Sequence, residues 1–282
     1  MNLDNTINKA SQILKNHNIH SHELDAQIIL SNIMGVKRES LITNNEINIS
    51  KKIMEKYDSA IKRRIKKEPV AYIIGKKEFW SEDFMVNHGT LIPRPETELL
   101  IYKIINFFKN KKINILDIGT GSGCILLSIL KELNFSRGIG IDISAKAIQM
   151  AKVNSKNLNL FYRSKFKVID LNKFNIGKYD LIVSNPPYIP SRDIKNLSKD
   201  ITNYEPLTAL NGGSDGLDLI KKVIYKSNHL LKRKGLLALE IGYNQYQRVS
   251  RILRCHGYTE MSKECDYNHN VRCIISTKVR FF

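Results

Sequence analysis

Hydrophobic residues recur at a helical spacing through the first quarter of the chain. In INKASQIL, HELDAQIILSNIM and SKKIMEKYDSAIKRRIKK, apolar side chains lie three and four positions apart. This spacing places them on one face of a helix and predicts three amphipathic helices within residues 1–68. Pro69 is expected to end the third helix, because proline cannot continue the hydrogen-bond ladder. We therefore predict a helical N-terminal domain over residues 1–70.

The segment AYIIGKKEFWSEDFMVN, at residues 71–87, follows a different pattern. Apolar and polar residues roughly alternate on either side of Ser-Glu-Asp, and such alternation favours two strands of a β-hairpin. We interpret residues 71–90 as a hairpin linker between two domains. Phe79 and Trp80 are expected to pack at the interface of those domains rather than to bind a ligand.

Strand and helix patterns alternate from residue 113 onwards. The predicted strands are residues 113–118, 138–143, 166–170, 179–184, 235–241 and 271–277. The helical patterns between them are CILLSILKEL, AKAIQMAKVNSK, DGLDLIKKVIYKSNHLLK and NQYQRVSRILRCH. Continuous apolar strands that alternate with helices are typical of a mostly parallel sheet covered on both faces. Residues 91–282 are therefore predicted to form an α/β domain.

Composition and cysteine usage point to a soluble cytoplasmic protein. Of the 282 residues 42% are hydrophobic, which is enough for a substantial core, and no apolar run approaches the length of a membrane span. No N-terminal segment resembles a signal peptide. None of the four cysteines forms a CxxC pair, and a zinc site from the last three with His256 or His269 would fit no common ligand spacing. We expect reduced thiols and no metal.

The formal net charge of +18 is concentrated in the second part of the chain. Residues 1–90 hold 14 basic and 11 acidic residues, whereas residues 91–282 hold 31 and 16. Such a field favours an anionic partner, including nucleic acid or the ribosome. The same excess also follows from a composition rich in Lys, Asn and Ile throughout. Both interpretations stay open at this stage.

Polar or glycine residues stand where four of the predicted strands end. The first strand ends around Asp117 and leads into a glycine-rich loop, and the next three end near Asp142, at Asp170 and at Asn185. The loop is Gly119-Thr120-Gly121-Ser122-Gly123. The carboxyl ends of parallel strands meet at one edge of a sheet, and ligands of open α/β sheets bind there. The coincidence of these four signals therefore predicts a ligand site.

The residue types at this edge favour an adenosine ligand without a diphosphate. A glycine loop lets backbone approach a ligand closely at a helix N-terminus, and Asp142 can accept from both ribose hydroxyls. The dinucleotide fingerprint would need a glycine where Cys124 stands, so S-adenosylmethionine fits better than NAD. Asp170 can accept from an adenine amine. Each signal alone also has a purely structural interpretation: a tight turn for the loop, a helix cap for Asp142 and a closed turn for Asp170.

The fourth strand leaves through the unusual sequence Asn185-Pro186-Pro187-Tyr188. The two prolines lack N–H groups and keep the segment extended, away from the sheet ladder. The Asn185 side-chain oxygen and the Pro186 carbonyl can then accept both hydrogens of a planar NH2 group, on which Tyr188 can stack. Alone, the segment also suits an ordinary strand-exit turn. Behind a glycine loop and two acids, it indicates methyl transfer to an amide or aromatic amine nitrogen, with Asn185 and Tyr188 as the catalytic residues.

Five stretches together resemble the HemK-like protein-(glutamine-N) methyltransferases that act on peptide-chain release factors. They are PVAYIIGKKEFW, LIPRPETELL, ILDIGTGSG, VSNPPYIP and YEPLTALNGGSDGLD. The resemblance covers nearly the whole chain, and the second and fifth stretches are specific to the release-factor enzymes. It implies a Rossmann-like class I methyltransferase fold with a mostly parallel seven-stranded sheet, preceded by a small helical domain that helps to recognise the release factor.

The resemblance also implies a role for each site residue. Gly119 to Gly123 would line the methionine part of S-adenosylmethionine, Asp142 the ribose, and Asp170 with Leu171 the adenine. Asn185 is also expected to contact the cofactor. Asn185 to Tyr188 would hold the glutamine of the release factor's Gly-Gly-Gln motif. Some relatives carry an aromatic residue where this chain has Leu171. The roles of Arg94 and Glu98 are left open, since Pro95 and Thr97 equally suit a helix start.

Two other functions remain as alternatives to glutamine methylation. An amino-methyltransferase for adenine in DNA or RNA would share the Asn-Pro-Pro-Tyr motif and suit the positive charge, although the chain has no large base-recognition domain. A non-catalytic binding module is the other, but a scaffold has no need for an intact Asn185-Pro186-Pro187-Tyr188 segment.

Overall fold

The structure, a computed structural model, describes residues 3–43 and 49–279, with the side chains of residues 42 and 43 excepted. The chain groups into two units: residues 1–76 with 198–204, and residues 77–197 with 205–282. The functional domains predicted at residues 1–70, 71–90 and 91–282 stay a prediction. Residues 1–2 and 44–48, which fall in the predicted helical region, and residues 280–282 lie outside the described part.

The first unit is helical. Its helices in the N-terminal part of the chain are α1 (Leu3–Asn16), α2 (His22–Met34), α3 (Arg38–Thr43), α4 (Lys51–Ile65) and α5 (Val70–Ile74). The three predicted helices are confirmed as α1, α2 and α4, whereas α3 and α5 are too short to give a periodic signal. The apolar stripes of these helices meet in one core, where Leu14, Leu30 and Tyr57 are almost fully buried. Each of the two leucine side chains contributes roughly 1.5–3 kcal/mol by its burial.

A β-hairpin opens the second unit, and it is shorter than the sequence predicts. Its strands are β1 (Lys76–Phe79) and β2 (Glu82–Met85). The prediction of extended structure at residues 71–74 is wrong, because Pro69 and the left-handed Gly75 delimit the short helix α5 there. The turn residues Trp80 and Ser81 have φ angles of 52° and 57°, as a two-residue type I′ turn requires.

Phe79 and Trp80 both make contacts within the second unit. The Phe79 ring lies edge-on to Phe84 at 5.9 Å between centroids, and both are buried in the core. The Trp80 indole donates to Glu132 at 2.8 Å, and its backbone N–H donates to Glu98 at 2.8 Å. The hairpin is thus fixed to the α/β unit by its own aromatic side chains.

A seven-stranded sheet forms the centre of the second unit. Its strands are β3 (Asn114–Ile118), β4 (Arg137–Asp142), β5 (Ser164–Val168), β6 (Tyr179–Ser184), β7 (Leu231–Glu240), β8 (Tyr258–Cys265) and β9 (Val271–Lys278). Their order across the sheet is β5-β4-β3-β6-β7-β9-β8. The first five strands are parallel, and β9 runs antiparallel to both of its neighbours. The predicted mostly parallel α/β fold is confirmed.

Six of these strands coincide with predicted ones, and β8 was missed. β8 lies at the edge of the sheet, and most of its side chains face solvent. Its sequence, YTEMSKEC, therefore lacks the continuous apolar run by which the central strands are recognised. Edge position, rather than an unusual backbone, explains the omission.

Helices cover both faces of the sheet. They are α6 (Thr97–Phe108), α7 (Cys124–Glu132), α8 (Ala145–Asn157), α10 (Asp218–Leu230) and α11 (Tyr246–Cys255). One apolar cluster joins α6, α7 and α8 to one face, and another joins α10 and α11 to the other. Neighbouring residues of β6 alternate between these clusters, Leu181 and Val183 in the first and Ile182 in the second. This double cover explains why apolar residues occupy consecutive positions in the middle of the central strands.

The short helix α9 (Lys199–Thr202) belongs to the first unit, although it follows β6 in the chain. Arg64, which is buried, donates to Asp25 at 2.7 Å and to Asp200 at 2.8 Å. The Tyr204 hydroxyl donates to the Lys66 carbonyl at 2.7 Å. Buried charges persist only when they are paired, so Arg64 holds residues 198–204 to the helical unit.

The strand order reverses between β3 and β6. From β3 the chain proceeds through β4 to β5 on one side, and it then returns to β6 and β7 on the other. A crevice forms at the carboxyl ends of the strands at such a reversal, because the connections on the two sides diverge. This edge carries Asp117, Asp142 and Asn185.

Candidate active site at the carboxyl edge of the sheet

A cavity of about 270 Å³ opens at this edge of the second unit. Of the residues predicted from the sequence, those that line it are Gly119, Gly121, Asp142, Asp170, Leu171, Asn185 and Pro187. The structure therefore brings residues from the ends of four strands into one cavity. Thr120, Ser122, Gly123, Pro186 and Tyr188 are not among its lining residues.

The glycine-rich loop presents bare backbone to the cavity. Gly119 and Gly121 have φ angles of +71° and +55°, which L side chains rarely adopt. A Cβ atom built on either would meet nothing within 4 Å, so the space beside both glycines is open. The N–H groups of Gly119 and Thr120 donate to the Ile141 carbonyl at 2.9 and 3.0 Å, which holds the loop against β4.

The other loop residues support it from behind. Thr120 is buried, and its hydroxyl donates to Asp117 at 2.6 Å. Asn154 on α8 is also buried, and its side-chain amide donates to the carbonyls of Ser122 and Met85 and accepts from the Met85 N–H. Asn154 thereby ties the loop to β2. Nothing in the local sequence of α8 distinguishes this asparagine from a surface residue.

Asp142 has both carboxylate oxygens directed at the backbone. One accepts from the Gly121 N–H at 3.0 Å and the other from the Ser144 N–H at 2.9 Å. The cap of α8 is Ser144, whose hydroxyl accepts from the Ala147 N–H. Burial raises the pKa of Asp142, while the backbone hydrogen bonds oppose that rise. Each oxygen keeps a lone pair for a ligand hydroxyl, since a carboxylate offers about four acceptor sites.

Asp117 lies beneath the loop and is fully buried. Its Oδ2 accepts from Thr120, and its Oδ1 has no hydrogen-bond partner. Burial raises the pKa of this carboxyl to about 7, with a smaller contribution from Asp142. A buried acceptor without a partner is uncommon in folded proteins and marks a position where a donor is expected.

The wall contributed by the end of β5 combines a polar and an apolar side chain. Asp170 caps the short turn Leu171–Lys173 by accepting from the Asn172 N–H at 2.7 Å. Leu171 is buried in the core next to it. Ile143 also lines the cavity and is 62% exposed, which leaves an apolar surface open to a ligand.

The segment from Asn185 to Tyr188 leaves β6 in a well-anchored conformation. Asn185 is half-buried, and its side-chain Nδ2 donates to the Thr97 hydroxyl at 3.3 Å. Tyr188 turns away from the lining of the cavity. Its hydroxyl donates to Glu240 at 3.4 Å and accepts from Arg272 at 3.1 Å. Burial raises the pKa of Tyr188 to about 12, and the nearby Glu240 carboxylate adds to the rise.

The backbone after Tyr188 is also fixed. Gln245, which is buried, donates to the carbonyls of Tyr188 and Gly216 at 2.9 and 3.1 Å and accepts from the Gly242 N–H. Ile189 forms an isolated parallel bridge with Asn211. The predicted rigidity of the segment therefore has a source beyond the prolines.

Arg94, whose role the sequence left open, forms an ion pair with Glu205 at 2.6 Å. Glu205 is buried, and the next residues in the chain, Pro206, Thr208 and Ala209, line the cavity. The pair thus fixes one wall of the site. Glu98 accepts from the Trp80 N–H and lies outside the lining.

A second, shallower cavity of about 390 Å³ adjoins the first. The residues that line both are Ile143, Pro187, Thr208, Leu219 and Lys222. Pro187 therefore borders both spaces, one beside the glycine loop and one beside the Asn211-Gly212-Gly213 turn.

Comparisons with known proteins agree with this geometry. A family described as the PrmC N-terminal domain matches residues 5–75, and one described as a methyltransferase domain matches residues 109–279. A release factor glutamine methyltransferase of Clostridium acetobutylicum is 38% identical over 282 residues, which cover 99% of both chains. The chain belongs to the release factor glutamine methyltransferase family. Another family member, from Buchnera aphidicola subsp. Schizaphis graminum, is 38% identical over 99% of this chain and 100% of its own.

A solved structure of lower similarity shares the fold alone. The catalytic domain of hMettl16, crystallised in complex with MAT2A 3'UTR hairpin 6, superposes with a TM-score of 0.58 at 17% identity. The match covers 83% of this chain and 84% of that chain.

Two further observations concern membrane-spanning helices and metal-binding side chains. In the part of the chain that the structure describes, no helix is both long and apolar enough to pass through a bilayer. The described residues also hold no group of three or more His, Cys, Asp or Glu side chains that could bind a metal ion.

Proposed function

We propose that this protein transfers a methyl group from S-adenosylmethionine to the side-chain amide nitrogen of the glutamine in the Gly-Gly-Gln motif of peptide-chain release factors. The observation that carries the proposal is that Asn185 lines the same cavity as Gly121 and Asp142. The near-complete match to family members of that name supports the choice of substrate.

The cavity fits S-adenosylmethionine. The open space beside Gly119 and Gly121 suits the amino-acid end of the cofactor, where a side chain would intrude. The free lone pairs of Asp142 suit the ribose hydroxyls. Ile143 and Leu171 offer apolar surface to the adenine, and Asp170 offers an acceptor. When bound, the cofactor supplies a methyl group that its sulfonium already activates.

Asn185 and Pro186 would hold the substrate amide. An amide nitrogen is a poor nucleophile, because its lone pair is delocalised. Two acceptors, the Asn185 Oδ1 and the Pro186 carbonyl, would take both N–H hydrogens and so fix the plane of the group. They would also stabilise the positive charge that develops on nitrogen. The predicted stacking of Tyr188 on this amide stays a prediction, since its hydroxyl is engaged by Glu240 and Arg272.

Alignment would supply most of the rate enhancement. A correctly oriented pair of reacting groups can gain roughly 7–11 kcal/mol over the same groups free in solution. The rigid segment around Asn185 and the wall fixed by the Arg94–Glu205 pair meet this requirement. The second cavity beside Pro187 offers room for the peptide on either side of the glutamine.

An assay with a purified release factor tests the proposal. We expect a mass increase of one methyl group on the peptide that contains the Gly-Gly-Gln motif. Asn185→Ala should bind S-adenosylmethionine with unchanged affinity by calorimetry, and its kcat should fall by roughly 10²–10³ because one acceptor is lost. Asn268→Ala, at an exposed position in the β8–β9 turn, is the matched control and should behave as wild type.

The same assay separates the alternatives. Duplex DNA and RNA, offered in parallel, should remain unmethylated. Methylated adenine without a modified release factor would contradict the proposal, as would near-normal turnover by Asn185→Ala. A protein that binds the cofactor but modifies none of the three would support the binding-module alternative. We also propose that the enzyme acts in the cytoplasm, where release factors function.

A further inference from the structure

A chain of buried polar side chains lies behind Asn185. Thr97 is the first residue of α6, and Glu240 is the last residue of β7. The Asn185 Nδ2 donates to the Thr97 Oγ1 at 3.3 Å, and that hydroxyl donates to the Glu240 Oε2 at 2.6 Å. Thr97 is 2% exposed and Glu240 is fully buried. Neither residue is among those that line the cavity.

The direction of these hydrogen bonds follows from the chemistry of the three groups. The Thr97 hydroxyl donates to Glu240, which in its ionised form can only accept, so the single hydroxyl proton points to the carboxylate. The Thr97 oxygen then has only lone pairs left, and its other neighbour must be a donor. Of the two ends of the Asn185 amide, only the NH2 end satisfies this condition.

The orientation of Asn185 matters because its two ends have opposite chemistry. With Nδ2 directed at Thr97, the Oδ1 is the end left for the cavity that Asn185 lines. Among the residues that the structure describes, none donates a hydrogen bond to this oxygen. The oxygen is not buried, so a ligand in the cavity can reach it. A flipped side chain would instead present a donor to the substrate NH2 group, and two donors repel.

Glu240 also anchors the other end of the same segment. Its Oε1 accepts from the Tyr188 hydroxyl at 3.4 Å, and Arg272 donates to that hydroxyl at 3.1 Å. Because Arg272 occupies a lone pair of the Tyr188 oxygen, the phenol proton is directed to Glu240. Tyr188 thus contacts the Glu240 carboxylate directly, and Asn185 is linked to the same carboxylate through Thr97. Burial raises the pKa of the Glu240 carboxyl, whereas the Thr97 hydrogen bond and the nearby Arg272 charge oppose that rise and favour the charged form.

We propose that Thr97 and Glu240 are positioning residues that fix the Asn185 amide with its oxygen toward the substrate. We call the hydrogen-bonded series Glu240–Thr97–Asn185 the relay. Because Glu240 accepts from Thr97 and Thr97 accepts from the Asn185 NH2, the Asn185 oxygen faces the substrate and selects a group that donates hydrogens. This role rests on the proposed glutamine methylation. It adds a determinant of specificity, since the relay makes the site accept an amide and reject a carboxylate.

Three variants test the relay. Thr97→Val keeps the shape of the side chain but removes the hydroxyl, and its kcat should fall about tenfold, the value of one neutral hydrogen bond. The KM for the release factor should rise less than kcat falls, and the cofactor affinity should stay unchanged. Thr97→Ser restores the hydroxyl and should recover most of the activity. Glu240→Gln can donate as well as accept, so it should resemble Thr97→Val.

Inhibition by a substrate analogue reports the orientation of the Asn185 amide and does not depend on the stability of the protein. A release factor whose target glutamine is replaced by glutamate cannot be methylated and should inhibit wild type weakly, since two acceptors would face each other. In Thr97→Val the Asn185 amide is free to turn its NH2 toward that carboxylate. The inhibition constant should therefore fall several-fold relative to the wild type, while Thr97→Ser stays at the wild-type value.

The outcomes distinguish this role from the proposed function. An active wild type, together with a Thr97→Val variant of unchanged kcat and unchanged inhibition by the glutamate form, would refute the relay alone. Equal losses in Thr97→Val and Thr97→Ser, without a change in inhibition, would indicate a packing role and also refute it. A wild type that does not methylate the release factor would refute the proposed function, and the relay with it.

Discussion

The acidic side chains at the carboxyl edge of the sheet are buried to different degrees and differ in how many hydrogen bonds their oxygens accept. Asp117 is the clearest case, since it is fully buried and its Oδ1 has no partner. The cost of holding a charge there appears as a pKa raised to about 7, against an ordinary value of 3.8. Burial also raises the pKa of nearby Asp142, but the two backbone N–H groups from which it accepts oppose that rise. The two carboxyls beside the glycine-rich loop therefore differ in how far hydrogen bonds offset the effect of burial.

The pKa of Asp117 predicts how stability depends on pH. A carboxyl whose pKa is higher in the folded state binds more protons there than in the unfolded state. Its stabilising effect is therefore full below pH 4 and is lost as the pH rises to about 7. Asp117→Asn cannot titrate, so the fall in unfolding free energy across this window should be shallower, by on the order of 1 kcal/mol per pH unit. Denaturant unfolding at several pH values measures the slope, and equal slopes would contradict the burial.

Elements in this protein are fixed by a few specific turns and pairs. The β1–β2 hairpin places Phe79 and Phe84 in the core, and its turn uses Trp80 and Ser81 with positive φ. Glycine or asparagine normally fills such positions, because a Cβ atom is strained in the left-handed region. The hairpin is therefore held by its packing rather than by favourable turn residues.

Ser81→Gly should relieve part of this strain. We expect the unfolding free energy to rise by roughly 0.5–1 kcal/mol, as the lost Cβ strain exceeds the entropy cost of glycine. Ser198→Gly is the matched control, since Ser198 has an ordinary φ of −60° and its side chain makes no capping hydrogen bond. The control should be neutral or slightly destabilising. Destabilisation by Ser81→Gly would argue against a left-handed turn.

At the scale of the whole molecule, the dominant electrostatic feature is the formal charge of +18. Most of the excess lies in residues 91–282, the part of the chain that contains the cavity. A general positive field attracts any polyanion without selecting a sequence. Contact with the ribosome or with nucleic acid through this field stays a prediction.

The salt dependence of binding shows whether the charge acts only through this field. We expect the protein to bind mixed-sequence duplex DNA weakly, with a dissociation constant that rises at least about tenfold between 50 and 200 mM salt, as counterion release requires. Methylation of the release factor should lose much less over the same range. Salt-independent binding to DNA would point instead to a built nucleic-acid site.

The sequence by itself determined the helical and strand patterns and the ligand edge. Periodicity reports which face of an element is buried, and this sufficed for three helices of the first unit and six strands of the sheet. Asp142 and Asn185 were found because residues at strand ends are local features, and parallel topology alone brings such ends together.

Only the tertiary structure decided which side chains meet around them. Thr97 and Glu240 are 143 positions apart in the chain, and Asn154 supports a loop more than thirty positions before it. Tyr188 faces Glu240 and Arg272 because of the order β6-β7-β9 in the sheet, which no local pattern encodes. Hydrogen bonds between distant residues depend on strand order and register, and those depend on the packing of the whole sheet.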